Sequence, residues 1–161
     1  MNSIDPRAPR FGAAITAVLL LVVVGLGLVT PIGDSIAERV VQAPFLLFAL
    51  ITGLFAWGAF AGIKRHPYGS VFRSLIRPRL SAPNELEDAA PPTFAQGVGF
   101  VITLAGVILH LAGVEYALVV AASAAFVAAF LNSVFGYCLG CQIYLALARL
   151  GIIRRKTATS T

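Results

Sequence analysis

The sequence predicts an all-α integral membrane protein. Four transmembrane helices form a compact bundle, and a short C-terminal interfacial or re-entrant helix carries a Cys-x-x-Cys. Three observations carry this expectation. Of 161 residues, 58% are hydrophobic and 12% are charged, where a water-soluble domain has about 25% charged residues. Four apolar runs each have the length of a bilayer crossing. The basic residues fall almost entirely on one side of those crossings.

The composition excludes an ordinary soluble enzyme, because a water-exposed fold of this size cannot hide so much apolar surface. With a mean hydropathy of +0.88, it also excludes disorder, which needs low hydrophobicity and high charge. The length fits a single membrane domain over residues 1–161.

The runs cover residues 11–29, 45–63, 94–113 and 116–135, nineteen or twenty residues each. As helices they reach roughly 28–30 Å, the depth of a hydrocarbon core. They must be helical, because lipid offers an open strand edge no partner. Thr30-Pro31-Ile32-Gly33-Asp34 ends the first. Ala43-Pro44 opens the second, with proline tolerated in a first helical turn. Five prolines crowd the loop 64–93, and Gly113-Val114-Glu115 turns the third run into the fourth. The first run is longer than the ~7–15-residue core of a signal peptide, and residues 31–34 make a poor cleavage region, so it reads as a retained helix.

Four crossings put the two termini and the central loop on one side. That side holds eleven of the twelve Lys and Arg residues, and Arg39 alone lies on the other. The positive-inside rule makes the basic side cytoplasmic. Within the loop, Lys64, Arg65, Arg73, Arg77 and Arg79 alternate with Val71, Phe72, Leu75 and Ile76. This is the pattern of a surface segment facing anionic lipid. The flanking spans favour lipid over nucleic acid as its partner. His66 in this loop is expected to be solvated, and His110 and Glu115, near the outer end of the third helix, are expected to reach water.

The last apolar stretch continues past Phe135 to Leu150. One straight helix from Tyr116 to Leu150 would be about 52 Å long, too long for a bilayer. A bend is therefore expected between Asn132 and Gly140, followed by a short helix at about 138–150. A fainter pattern is an echo between the halves. Pro9-Arg10-Phe11 and Pro92-Thr93-Phe94 open the first and third helices, and Tyr68-Gly69 and Tyr137-Cys138-Leu139-Gly140 follow the second and fourth. Parallel two-helix repeats of this kind occur in some transporters.

Cys138 and Cys141 are the sharpest chemical feature. Three residues apart on a helix, both sulfurs face one way. At a helix start the dipole favours the thiolate, which is the nucleophile. Gly136 and Gly140 let the backbone bend and another chain approach. Asn132 and Ser133 precede the pair and can cap the following helix or bond across the bundle. A reducing cytoplasm disfavours a structural disulfide. What remains is a redox or sulfur-handling dithiol, a soft-metal site, or packing. A metal would want four thiolates; a single chain has two with no His or Met near them in sequence, though a dimer could supply four. Neither a metal nor a cofactor is expected. Gly58-x-x-x-Gly62 and Gly136-x-x-x-Gly140 predict close helix packing, with homodimerisation as the wider possibility. No catalytic triad, phosphate loop, dinucleotide fingerprint or metalloprotease motif is present.

Several short motifs occur in order: Asp5-Pro6-Arg7, Phe72-Arg73 with Arg77-Pro78-Arg79-Leu80, Asn84-Glu85-Leu86-Glu87-Asp88, Pro91-Pro92-Thr93-Phe94-Ala95-Gln96-Gly97, and Phe135-Gly136-Tyr137-Cys138-Leu139-Gly140-Cys141. In these the chain resembles the bacterial membrane family catalogued as domain of unknown function 4395, over nearly its whole length. It departs at Thr93, where many members have arginine. The resemblance implies a bacterial inner-membrane protein, often encoded beside thioredoxin-like and sulfurtransferase proteins. It favours thiol or sulfur chemistry at Cys138 and Cys141. The plan is also similar to the vitamin K epoxide reductase architecture, although no quinone motif is present. The leading expectation is a dithiol that exchanges electrons or sulfur with a soluble cytoplasmic thioredoxin-like or sulfurtransferase partner. Its rivals are a transporter or channel for a small sulfur compound, and a non-catalytic membrane assembly subunit.

Overall fold

The computed structural model describes residues 3–83 and 85–153. Asn84 and the basic residues Arg154, Arg155 and Lys156 lie outside the described residues. The chain runs β1 (Ser3–Ile4), α1 (Arg7–Val29), α2 (Ile36–Val40) and α3 (Ala43–Phe60). A 3₁₀ turn (Ile63–Arg65), α4 (Pro67–Val71), a π-helical turn (Phe72–Ile76) and a second 3₁₀ turn (Arg77–Arg79) follow. The rest is β2 (Glu87–Asp88), α5 (Ala90–Leu111), α6 (Ala117–Phe135) and α7 (Leu139–Arg149).

Helices α1, α3, α5 and α6 are long and apolar enough to cross a membrane. Their outward faces carry Val18, Leu21, Leu50, Val101, Val120 and Val127, all more than half exposed. That surface suits hydrocarbon, not water. Three of the four begin before their apolar runs do. Pro9, Pro44 and the pair Pro91-Pro92 fall in first turns, where a missing N–H costs nothing. Helix α3 stops at Phe60, short of Ile63, because Gly62 takes a φ of +84° and turns the chain aside.

Helix α1 packs along α6, and α3 along α5. The core fills the half of the bundle remote from the cysteines: Leu20, Val23, Phe45, Phe48, Leu118 and Ala122. Small residues set the approach there, since even a methyl on Gly106 would collide with Ala121 and with the Phe48 ring.

The two halves are packed alike. The short α4 folds back on α1, the first helix of its own pair, as α7 folds back on α5. Phe11 meets Phe72 at 5.8 Å between ring centroids, and Phe94 meets Tyr144 at 5.6 Å. The echo in the sequence thus has a counterpart in the packing.

Several expectations need correction. His66 is buried, 3% exposed. Its Nε2 lies 3.1 Å from the Leu54 carbonyl and its Nδ1 accepts the Tyr68 N–H at 3.3 Å. A neutral ring protonated on Nε2 satisfies both. Burial holds its pKa below the usual imidazole value, and the Leu54 hydrogen bond only partly opposes this. His110 does not reach water either. It is 7% exposed, stacked on Phe45 at 5.6 Å, and its Nε2 has no hydrogen-bond partner among the described residues. The segment 64–79 is not wholly superficial, because Phe72 is 1% exposed against Phe11. The turn after α1 contains α2, capped by the Ser35 hydroxyl, which accepts the Glu38 N–H at 3.3 Å.

Candidate dithiol site

Helix α6 ends at Gly136, whose φ of +66° is the left-handed conformation glycine adopts freely. The Gly136 N–H donates to the Asn132 carbonyl and the Tyr137 N–H to the Leu131 carbonyl, each at 3.1 Å. This closes the last turn and throws the chain sideways. Cys138 is then extended (φ −88°, ψ 102°) and caps the N-terminus of α7. Its Sγ accepts the Cys141 N–H at 3.2 Å. Cys138 and Cys141 are paired as a disulfide, with Cα atoms 5.2 Å apart. Both are only partly exposed.

Gly140 anchors this arrangement. A methyl there would lie 2.5 Å from Ala95 Cβ, so α7 sits directly on α5. The second GxxxG therefore divides its work: Gly136 turns the chain and Gly140 packs. The first does the same, with Gly58 against Gln96 and Gly62 as the turn.

The pair lies beside a cavity of about 1020 Å³. It reaches the middle of the bundle, where Ile51, Phe55, Ile102 and Ala125 line it. At the end holding the cysteines it is lined by Arg10, Lys64, Arg73 and Arg77, and by Asp5, Glu87 and Asp88. Asp5 is spoken for. Arg7 grips both its oxygens, Nε to Oδ1 at 3.0 Å and Nη2 to Oδ2 at 2.9 Å, and donates its backbone N–H as well. The Arg7 guanidinium holds the Asp5 carboxyl below the usual carboxylate range, against the opposing effect of burial. Arg7 also donates to the Ser81 carbonyl at 3.0 Å, and β1 pairs with β2. These contacts tie the N-terminal arm to the central segment.

A family profile described as a domain of unknown function, DUF4395, matches residues 4–149. The chain belongs to the DUF4395 family. No curated protein and no solved structure matches it. The DUF4395 match contains all four long helices and the cysteine pair.

Within this DUF4395 chain the fold gathers Cys138, Cys141, Gly136, Gly140 and Asn132 around one cavity, with Lys64, Arg73 and Arg77 on its wall. Arg65 and Arg79 do not line it, and both are exposed. Arg73 is tied to its own segment, donating to the Lys64 carbonyl at 3.1 Å and to the Ser70 hydroxyl at 3.0 Å. Ser133 does not cap α7; its hydroxyl bonds back to the Phe130 carbonyl. Cys138 caps the helix itself. Arg10, Asp5, His66 and Gln96 also line the cavity, and sequence reasoning did not place them there. Arg10 had a signal in the Pro-Arg-Phe echo, whereas buried His66 had none. Among the described residues no three His, Cys, Asp or Glu side chains form a group able to hold a metal.

Proposed function

We propose that Cys138 and Cys141 are a thiol–disulfide exchange couple at the cytoplasmic face of a bacterial inner membrane, serving a soluble thioredoxin-like or sulfurtransferase protein. The observation that carries this reading is Cys138 as the N-cap of α7, its sulfur accepting the Cys141 N–H at 3.2 Å. A backbone donor and the positive end of a helix both favour a thiolate on Cys138.

In the reduced protein, the Cys138 thiolate attacks one sulfur of the partner's disulfide. A mixed disulfide forms and one partner thiolate leaves. Cys141 then loses its proton and attacks Cys138 Sγ, expelling the second partner thiolate and closing the Cys138–Cys141 bond. Two electrons pass to the partner, and the reverse sequence returns them. The positive-inside rule supports the cytoplasmic orientation, since the basic residues crowd the same end as the cysteines.

The test is trapping. Cys141→Ser should accumulate a mixed disulfide through Cys138 that reductant releases, and Cys138→Ser should not. Full cellular function in both serine variants would sink the reading. A membrane-impermeant maleimide that labels the reduced thiols from outside intact cells would overturn the orientation.

The cavity of about 1020 Å³ beside the pair favours a second reading, passage of a small sulfur compound. The paired halves suit it. Flux of sulfide or thiosulfate into vesicles bearing the protein, above that into empty vesicles, is its measurement.

A further inference from the structure

The cavity beside the cysteines is roomier on one side than on the other. Counted back from Gly62 and Gly136, the left-handed glycines just past α3 and α6, Ile51, Leu54 and Phe55 stand where Ala125, Ala128 and Ala129 stand, and all six line the cavity. One half of the fold thus fills its share of the space with large side chains, and the other leaves it open. The open side follows α6, the helix that leads through Gly136 to Cys138. At about 1020 Å³ the space reaches the top of the range for pockets that enclose small molecules, roughly 300–1,000 Å³. Beyond it the bundle is solid, with Leu20, Val23 and Phe48 fully buried.

The same cavity borders a groove on the outside of the bundle. That groove, of about 1100 Å³, lies between α3 and α5, where Phe60 and Val101 are 80% and 65% exposed. Ile63, Lys64, Val98 and Ile102 line both spaces, so one layer of side chains divides them. Packing is open there, since a methyl on Gly97 would have Ala59 Cβ, 4.0 Å away, as its nearest neighbour. An apolar molecule dissolved in the hydrocarbon has a short path past Val98 and Ile102 to the sulfur pair. An ion has no such path, because it would shed its hydration in lipid.

We propose that the cavity binds an uncharged, apolar compound containing a sulfur–sulfur bond, which enters from the lipid between α3 and α5 and is reduced by Cys138 and Cys141. This substrate belongs to the exchange couple proposed above and depends on that reading. Thiolates attack disulfide sulfur, and walls of Ile51, Leu54, Phe55 and the α6 alanines hold hydrocarbon substituents by burying them.

In the reduced protein the Cys138 thiolate attacks one sulfur of the compound, R–S–S–R. The sulfur–sulfur bond breaks, a mixed disulfide forms on Cys138, and the first R–S⁻ leaves and takes up a proton. Cys141 loses its proton and attacks Cys138 Sγ, which expels the second R–S⁻ and closes the Cys138–Cys141 bond. The couple gives up two electrons and the compound becomes two thiols. A soluble thioredoxin-like dithiol then returns the two electrons by the same exchange.

The test uses the full-length protein in detergent, reduced and freed of reductant. Its rate of oxidation by dipropyl disulfide is compared with that by bis(2-hydroxyethyl) disulfide, which is uncharged and of similar length but polar. Each rate is divided by that of dodecanethiol in the same micelles, which removes partitioning and intrinsic reactivity. The wild type should favour dipropyl disulfide at least about tenfold on this scale. Ala128→Phe fills the open side and should abolish the preference. If Ala128→Phe melts early, Val98→Phe, which thickens the wall between groove and cavity, must abolish it instead. No preference in the wild type, or an undiminished preference in a stably folded variant, overturns the substrate class. In that event, trapping of a soluble thioredoxin-like protein by Cys141→Ser leaves the exchange couple standing. Loss of that trapping, together with inertness toward both disulfides, sinks the two together.

Discussion

The Arg10 guanidinium lies across Gly136. A Cβ built on Gly136 would sit 2.6 Å from one terminal nitrogen of Arg10 and 2.7 Å from its central carbon. Arg39 stands in the same relation to Gly113, 3.0 Å from the equivalent point. Both glycines are left-handed and both follow the end of a long helix. The negative end of a helix dipole and its unpaired carbonyls attract cations. Arg39 realises this at the end of α5, donating to the Leu111 carbonyl at 2.8 Å, and it also holds the loop after α1 through the Gly33 carbonyl at 2.7 Å.

Gly136→Ala should therefore be costly twice, through the backbone and through Arg10. The left-handed conformation alone costs about 1 kcal/mol. The variant should unfold earlier in detergent, and its cysteines should react faster with a maleimide in the reduced protein. Pairing it with Arg10→Ala should recover part of the loss, because the steric conflict disappears.

In the reduced protein, Cys138 should titrate below the ordinary thiol value of about 8.5, and Cys141 should not. The pH dependence of iodoacetamide labelling in single-cysteine variants measures this. Arg10→Gln should slow labelling of Cys138 near pH 7 severalfold by removing a cation from the cavity wall. An unchanged rate would show that the helix N-terminus alone governs the sulfur.

His66 should make stability depend on pH. Its folded pKa lies below the 6.5 of a free imidazole because it is buried. The unfolded chain then binds the proton more readily. Stability from this site is complete above 6.5 and is lost as pH falls through the folded value. His66→Gln should flatten that part of the melting curve between pH 5 and 7.

Asp5→Asn should release the N-terminal arm. The carboxylate takes three hydrogen bonds from Arg7, and Arg7 in turn holds the Ser81 carbonyl. Tryptic cleavage after Arg7 should become severalfold faster in the folded protein. Cleavage at the wild-type rate would mean that the β1–β2 pairing holds the arm unaided.

Much of the architecture was legible from the chain because the bilayer simplifies the problem. Runs of about twenty apolar residues have one stable conformation in lipid, so the four helices could be counted. The break after Phe135 followed from length alone, and Gly136 is where it falls. Lateral arrangement was not legible. A soluble helix marks its inner face by alternating polar and apolar residues, but here both faces are apolar. Whether α1 would lie on α6 or α3 left little trace in the order of residues.

The sequence by itself determined the class of protein, its helices, the end that gathers positive charge, and a cysteine pair at a helix start. Only the tertiary structure decided what surrounds that pair. It laid Arg10 over Gly136, seated α7 on Ala95, buried His66 against the Leu54 carbonyl of α3, and buried Phe72 against Phe11 of α1. The physical reason is that in lipid the water-driven sorting of residues is weak between helices. Packing of small residues and pairing of polar ones then choose the contacts, and those choices depend on shapes that meet only when the chain is folded.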